Sequence, residues 1–474
     1  MRLSRYSRLL SNTLVFTVGK LLSKLLMFFM IGLYTACLTQ AEFGTAELIT
    51  NMANLLIPLA CVGISEGIFR SAAAKDGDKE AFFTNGLLVY GVGSVVFLCL
   101  APLLTFIPRF AGSVWLIAAY VVVANLHTVV SQYLCAIGRT KLFAGQGILN
   151  TALVIGLNIL FLPVLDFGVT GYVSSIILAD LLTTVFLIFA TRLWRAVKPK
   201  SISRQTVGAM LKFCLPLVPT TIFWWITGVS DRYMVDMMCS PELNGLYTAA
   251  YKVPNLLIYA ITIFDSAWKL SVSAEDDPEA CAAFYSRVWR AYTTLAFLGG
   301  GALILCSRLF AGLLFSGDFV RAWVYIPILT FATVFTALCT FLGSVYFASK
   351  RTVGSMLTAL VGAALNIVLN LLLIPSYQAM GASIATFASY FVVCVLRLGT
   401  GRRLIPFKGE WGRLILNTLF MGGLTALVTL SESHISSLPL AWGSACGVFA
   451  VMLIFNFRPV LELLRDGKRM LRGR

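Results

Sequence analysis

The chain has 474 residues, of which 58% are hydrophobic and only 12% are charged, and its mean hydropathy is +0.86. A soluble domain carries roughly 25% charged residues, so this composition excludes an ordinary soluble enzyme and indicates a polytopic membrane protein. The net charge of +16 does not by itself indicate a nucleic-acid partner, because the cations lie mostly in short segments between apolar stretches.

Fourteen apolar stretches are long enough to cross a bilayer as helices, since each has about 18 residues or more. They cover residues 14–37, 44–68, 82–107, 114–137, 142–165, 169–191, 208–230, 243–268, 288–306, 320–347, 353–374, 379–399, 414–430 and 438–457. Lysine and arginine concentrate in alternate connecting segments and in the C-terminal tail, which predicts that both termini are cytoplasmic. The sequence therefore predicts an all-α, multi-pass protein of the cytoplasmic (inner) membrane.

The first stretch carries two lysines, Lys20 and Lys24, inside its apolar sequence. At about 1.5 Å per residue from an entry near Leu14, Lys20 lies ~9 Å and Lys24 ~15 Å into the membrane. An ammonium group near the midplane costs about 2.5–3.5 kcal/mol, and the side chain of Lys24 hardly reaches the headgroups. We predict that both lysines face a wet cavity and bind an anionic group. A structural salt bridge, for example with Glu47, is the alternative.

The second stretch has polar residues at helical spacing, among them Glu47 and Asn54. Such residues either line a cavity or bond to neighbouring helices, and spacing alone does not separate these roles. Arg70, at the end of this stretch, is either an interfacial anchor or a phosphate ligand at the cytoplasmic mouth of a cavity. Glu47 and the lone carboxylate of the sixth stretch, Asp180, are candidates for carrying a coupling proton or sodium ion; pairing with a neighbour is the alternative.

The seventh and eighth stretches each carry one polar face as well. Trp224 and Asp231 lie on the face of the seventh, and Lys252 and Asn255 lie on that of the eighth, with Tyr251 beside Lys252. Lysine is a compact charge that suits a diphosphate, whereas neutral donors such as Asn and Tyr can contact sugar hydroxyls. We therefore predict that these residues bind substrate, with Asp231 as a third coupling candidate.

The chain also contains an internal repeat. Gly44 and Asn54-Leu55-Leu56 match Gly245 and Asn255-Leu256-Leu257, and Asn158, Pro163 and Gly171 match Asn370, Pro375 and Gly381. Six stretches separate the matching elements, so the halves share one orientation, as in transporters that bind substrate where parallel repeats meet. This predicts six-helix bundles at 1–195 and 207–400 around a central cavity, two appended helices at 411–457 and a basic cytoplasmic tail at 458–474.

Several short motifs resemble one transporter family. They are Asp231-Arg232-Tyr233, Gly245-x-Tyr247, Ala250-Tyr251-Lys252 with Pro254, Ala267-Trp268, Trp323-x-Tyr325-x-Pro327 and Ala348-Ser349-Lys350. Together they resemble the polysaccharide-transport, Wzx-type lipid-linked oligosaccharide flippases of the MATE/MOP superfamily. The resemblance implies two six-helix bundles forming a V-shaped cavity, alternating access, and transfer of an undecaprenyl-diphosphate-linked glycan to the outer leaflet.

Two other transport functions share the fold that this resemblance implies: a lipid II-type peptidoglycan-precursor flippase and a MATE-like multidrug or cation antiporter. A membrane glycosyltransferase would need catalytic carboxylates or a histidine on a sizeable outer loop, and the predicted outer loops are short. We therefore predict that the chain is not an enzyme. We expect no cofactor, no metal site and no nucleic-acid partner, with membrane lipids around a monomer.

Overall fold

The computed structural model describes residues 24–73, 78–261, 278–349, 352–430 and 438–472. Within these ranges the chain is almost entirely helical and contains no β-strand. Apolar stretches of this length must satisfy their backbone hydrogen bonds internally when they lie in lipid, and the α-helix does so. The predicted all-α, polytopic class is confirmed.

The described α-helices are numbered here in chain order. They are α1 (Ile31–Cys37), α2 (Gln40–Ala60), α3 (Ile64–Ala73), α4 (Lys79–Leu100), α5 (Val114–Ala136), α6 (Thr140–Ile159), α7 (Gly168–Thr191), α8 (Arg204–Cys214), α9 (Leu217–Met238), α10 (Pro241–Lys252), α11 (Pro278–Leu305), α12 (Ser307–Leu314), α13 (Ile326–Ala348), α14 (Thr352–Leu404), α15 (Trp411–Leu430) and α16 (Leu438–Arg472). Residues 24–29 and 255–261 are helical too.

Among the described residues, nine helices are long and apolar enough to cross a membrane, or ten when the bent pair α2 and α3 counts as one span. The longest, α14, turns at Gln378, whose φ is 51°, so it contains two of the predicted spans. The predicted spans at 14–37 and 243–268 lie only partly within the described residues. The total of fourteen therefore stays a prediction.

Proline and glycine determine where the second predicted span breaks. Helix α2 begins at a capping box, in which the Thr39 hydroxyl accepts from the Glu42 N–H and the Glu42 carboxylate accepts from the Thr39 N–H. It contains Pro58 and ends before Val62 and Gly63, both of which have positive φ. The chain then continues into α3 at an angle of 56°. The break thus follows Pro58 by only a few residues.

The chain divides into two units, Met1–Val229 and Ser230–Arg474, each described by itself below. In the first unit α5 is the central helix, because it packs against α2, α3, α4 and α7. Its apolar residues join α3, α4 and α8 in one buried cluster that includes Ile68, Phe83, Tyr133 and Met210. The basic linker after α7 and the short helix α8 belong to this unit.

In the second unit α13 takes the central place, and 78% of its apolar window is buried. The appended helices α15 and α16 pack against α11, where a Cβ on Gly300 would lie 2.7 Å from the Met421 side chain and one on Gly301 2.9 Å from Phe449. Asn417 and Asn456 join α15 to α16 by a pair of amide hydrogen bonds. Small residues and polar pairs are the contacts that hold helices together in lipid.

The two halves of the sequence repeat share one backbone feature, a turn at a residue with positive φ. In the first unit the chain turns after Pro163 at Asp166, whose φ is 52°, and in the second it turns after Pro375 at Gln378, whose φ is 51°. Each turn follows its matching asparagine by the same number of residues. The glycines that follow the turns, Gly171 and Gly381, lie close to the preceding helix. A Cβ on Gly381 would overlap the Leu373 carbonyl group, whereas one on Gly171 would lie 2.9 Å from the Cβ of Phe167 and 3.2 Å from the Phe161 carbonyl oxygen. Glycine therefore fits both positions, and the constraint is tighter at Gly381.

Replacing Gly381 with alanine is expected to destabilise the second unit by about 1–3 kcal/mol, because the new Cβ would lie 2.6 Å from the carbonyl carbon of Leu373. The measurement is the thermal unfolding midpoint of the purified protein in detergent. Gly399→Ala is the matched control, since Gly399 lies in the same helix and has no atom within 4 Å of the added Cβ. Equal midpoints for the two variants would contradict the packing role.

Candidate functional site

A fully buried carboxylate, Asp231 in α9, organises a polar cluster in the second unit. Its Oδ2 accepts hydrogen bonds from the hydroxyls of Tyr247 at 2.7 Å, Tyr251 at 2.9 Å and Thr386 at 3.2 Å. Its Oδ1 accepts from the Arg232 N–H at 2.9 Å. Four donors stabilise a carboxylate that would otherwise be costly to bury. The structure thus brings together two predicted site residues, Asp231 and Tyr251.

Two asparagines of α14 extend this cluster. Asn366 accepts from Asn370 at 3.0 Å and contacts Thr386 at 3.4 Å, and both asparagine side chains are fully buried. The Oδ1 atom of Asn370 has no hydrogen-bond partner among the described residues. Buried acceptors are nearly always satisfied, so an unpaired amide oxygen near a buried carboxylate is a place where a small cation or water can bind.

The first unit has a buried carboxylate of its own, Glu47 in α2. Its Oε1 accepts from the Tyr172 hydroxyl of α7 at 2.7 Å, and the ring of Tyr34 packs edge-on against Tyr172 with centroids 4.8 Å apart. Glu47 is 7% exposed. Both units therefore bury one carboxylate that accepts from tyrosine hydroxyls, although the tyrosines come from different helices.

Asp180 in α7 has a more open setting. Its Oδ1 accepts from the Asn150 amide at 2.7 Å, and its backbone carbonyl accepts from the Thr184 hydroxyl. That hydroxyl is also 3.1 Å from Nδ1 of His127. Sequence reasoning singled out Asp180 but missed His127 and Asn150, because an isolated histidine in an apolar stretch carries no spacing signal.

The predicted substrate ligands differ in their surroundings. Lys24 and Lys252 are half-buried, as is Asn255, whereas Asn54 and Trp224 are exposed. Beside Trp224, the Trp225 indole donates to the Asn51 carbonyl at 3.0 Å. Lys20 lies outside the described residues. Tyr251 is predicted to contact sugars, but its hydroxyl donates a hydrogen bond to Asp231. Its ring forms a cation–π contact with Arg232, whose Cζ lies 4.6 Å from the ring centroid.

Two buried residues of α4 hold the basic linker against the first unit. The Thr84 hydroxyl accepts from the Lys198 N–H at 2.9 Å. The Asn85 amide donates to the Ser201 carbonyl at 3.0 Å and accepts from the Ser203 N–H at 2.9 Å. The Lys198 side chain also forms an ion pair with Glu80, which raises the pKa of that lysine. The linker is thus fastened at the end where α4 begins and α7 ends.

Replacing Asn85 with alanine is expected to loosen the linker, because two backbone groups lose their partners at a cost of about 1–3 kcal/mol. The measurement is the rate of tryptic cleavage after Lys200, which we expect to rise about tenfold as local opening becomes easier. Asn54→Ala removes an exposed amide from α2 and serves as control. An unchanged cleavage rate in the Asn85 variant would show that the linker is held by other contacts.

The family is decided by the sequence comparison. A family model described as "Polysaccharide biosynthesis protein" matches residues 9–268, more than half of the chain. The chain belongs to this family. A search of curated protein sequences finds no significant match. Family membership confirms the resemblance to polysaccharide-transport flippases that the motifs around Asp231 and Lys252 indicate.

Solved structures extend this result to the fold. An inward-facing multidrug resistance MATE transporter of the MOP superfamily is 16% identical with a TM-score of 0.66, covering 81% of this chain and 94% of that one. The lipid II flippase MurJ in an inward closed conformation is 15% identical with a TM-score of 0.64, covering 94% and 100%. A MOP transporter from Pyrococcus furiosus, whose binding pocket is described as having reversed polarity, is 15% identical with a TM-score of 0.63, covering 83% and 95%.

These likenesses show the fold alone, since all the identities are low. Combined with family membership, they support a multi-pass membrane flippase or transporter rather than an enzyme. The family suggests a lipid-linked substrate in a membrane lipid environment.

Proposed function

We propose that this member of the family is a flippase that moves an undecaprenyl-diphosphate-linked oligosaccharide across the cytoplasmic membrane by alternating access. Both termini would be cytoplasmic, and the product would serve polysaccharide or cell-envelope biosynthesis. The observation that carries the proposal is the family match over residues 9–268, to which the MOP-type fold, matched over 81–94% of the chain, adds support.

Substrate recognition is assigned to the lysines of the first and eighth predicted spans. Lys24 and Lys252 are half-buried, and Lys20 precedes Lys24 by about one helical turn. A diphosphate offers the anionic charge that intramembrane ammonium groups need. Asn54, Asn255 and Trp224 would contact the sugars. Lysines in the substrate site would disfavour organic cations, which argues against a MATE-like antiporter.

Coupling is assigned first to Asp231, with Glu47 and Asp180 as further candidates. Asp231 is fully buried, yet an unpaired oxygen on Asn370 in the same cluster leaves an acceptor for a proton-bearing group or a sodium ion. Buried carboxylates inside membrane helices are costly to maintain, and transporters use them to carry ions. The polar cluster around Asp231 therefore supports Asp231 over Glu47 and Asp180 as the residue that carries the coupling ion.

A lipid II-type flippase is the second candidate, favoured by one observation. The MurJ structure covers 94% of this chain and is itself covered completely, so the likeness extends well beyond a six-helix half. The two candidates differ in the sugars attached to the same diphosphate lipid. The lysines do not discriminate between them, because they would bind the part that both cargoes share.

Deletion of the gene in its host is the test. The proposal expects an undecaprenyl-diphosphate-linked oligosaccharide to accumulate on the inner leaflet and surface polysaccharide to disappear. Accumulation of a peptidoglycan precursor, with surface polysaccharide unchanged, would favour the second candidate. Raised drug sensitivity with neither lipid accumulating would overturn both and support an antiporter.

A further inference from the structure

A cavity of about 410 Å³ opens in the first unit between α3, α4 and α8. Its polar lining includes Arg70, Ser71, Gln205 and Thr206, and its apolar wall includes Phe82 and Phe213. A pocket with one cation, several neutral donors and an apolar wall matches an amphiphile that has a single anionic group. The volume suits a small phosphodiester headgroup.

In this cavity the guanidinium of Arg70 stacks on an aromatic ring and keeps its N–H donors available for a ligand. Its guanidinium carbon lies 4.1 Å from the centroid of the Phe213 ring, a cation–π contact that orients the planar group while leaving its N–H donors available. The side chain is exposed, and Arg70 takes part in none of the ion pairs found between described residues. A planar guanidinium with free donors is well suited to bind phosphate oxygens in a bidentate manner.

Helix α8 contributes a second favourable element. Its N-cap residue, Ser203, makes no side-chain cap hydrogen bond, and its backbone N–H donates to the Asn85 side chain. The first-turn N–H groups, which include those of the cavity residues Gln205 and Thr206, thus have no side-chain cap. The partial positive charge at this end of the helix adds to that of Arg70.

The segment leading into α8 has the composition of a membrane-surface element. No acidic residue occurs between positions 181 and 230, whereas six cations lie between Arg192 and Lys212. Of these, Lys198 is engaged by Glu80. The same segment exposes Trp194 and Ile202, each with nearly half of its surface accessible. Basic residues interleaved with exposed apolar ones bind the surface of an anionic bilayer.

We propose that this cavity is a binding site for the headgroup of an anionic membrane phospholipid, with Arg70 as its phosphate ligand. The proposal does not depend on the proposed function. It assigns Arg70 to a lipid that surrounds the protein, whereas the sequence left open an interfacial anchor or a ligand of the cargo. The bound lipid would hold α8 and the linker against the membrane surface.

The experiment titrates phosphatidylglycerol onto the delipidated, full-length protein and follows the lipid-bound species by native mass spectrometry. Wild type is expected to bind phosphatidylglycerol in preference to phosphatidylcholine. Arg70→Ala is expected to weaken phosphatidylglycerol binding tenfold or more, equivalent to about 1.4 kcal/mol. Arg403→Ala is the matched control, because Arg403 is an exposed arginine at the end of α14 and lies outside the cavity.

A second variant, at a residue from another wall of the cavity, keeps the test informative if Arg70→Ala does not fold. Gln205→Glu places a carboxylate in the cavity and is expected to weaken phosphatidylglycerol binding to a similar extent. Unchanged binding in both variants, or an equal loss in the Arg403 control, would overturn the proposal. Parallel titration with undecaprenyl diphosphate separates the two sources of phosphate: loss of that ligand in Arg70→Ala, with phosphatidylglycerol binding intact, would place Arg70 in the transport site instead.

Discussion

Replacing Lys24 and Lys252 together with alanine is expected to abolish glycan export while leaving the protein in the membrane. Each lysine would contribute a charged hydrogen bond to the diphosphate, worth about 1.5–3 kcal/mol. Loss of both should therefore lower the rate of flipping at limiting substrate by roughly 10²- to 10⁴-fold. Each single variant is expected to lose about the square root of that factor, provided that the two charges act independently.

The measurement is flipping of a fluorescent polyprenyl-diphosphate saccharide in proteoliposomes, with the amount of inserted protein determined in parallel. Removing an intramembrane ammonium lowers the cost of insertion by about 2.5–3.5 kcal/mol, so protein levels should not fall. Lys141→Ala is the control, since Lys141 is an exposed lysine in the first turn of α6. Wild-type flipping in the double variant would refute the assignment of Lys24 and Lys252 to the diphosphate of the substrate.

Asp231→Asn is expected to uncouple transport from its driving ion while the fold survives. The amide keeps the size of the carboxylate and retains one acceptor for Tyr247, Tyr251 and Thr386, but it can no longer change charge. Asp231→Ala, by contrast, would leave three buried hydroxyls without their shared acceptor, and we expect it to lower the stability of the second unit by about 3–5 kcal/mol.

Flipping rates measured against a sodium gradient and against a proton gradient distinguish coupling from a structural role. The Asn variant should lose the dependence on one gradient, whereas a purely structural carboxylate would alter stability and leave that dependence unchanged. Asp318→Asn is the control, because Asp318 is an exposed carboxylate whose Arg321 partner is 4.0 Å away. A wild-type response to both gradients in Asp231→Asn would remove Asp231 from the coupling mechanism.

The sequence was most informative about features that depend on local chemistry. Apolar length predicted the helices. The repeat was visible in the spacing of Asn158 and Pro163, and in both units a residue with positive φ follows these two at the same distance.

The partners of the predicted charged residues were not predictable. Asp231 and Thr386 lie 155 positions apart, and a threonine in an apolar helix has the same appearance whether it bonds its own backbone or a distant carboxylate. The hydrogen bonds of Tyr172 to Glu47 and of Asn150 to Asp180 are similar cases, as is the cation–π contact between Phe213 and Arg70. Each partner is a common residue type, and its role depends on which helix packs against it.

By itself, the sequence determined that Lys24 and Asp231 are costly charges in membrane helices, since that cost depends on hydropathy and depth alone. Only the tertiary structure decided what surrounds those charges. In the structure, Asn85 holds the linker by hydrogen bonds, tyrosine and threonine hydroxyls surround Asp231, and Arg70 lies over an aromatic ring in a separate cavity. Packing brings together groups that are distant along the chain, and a local sequence pattern contains no information about such contacts.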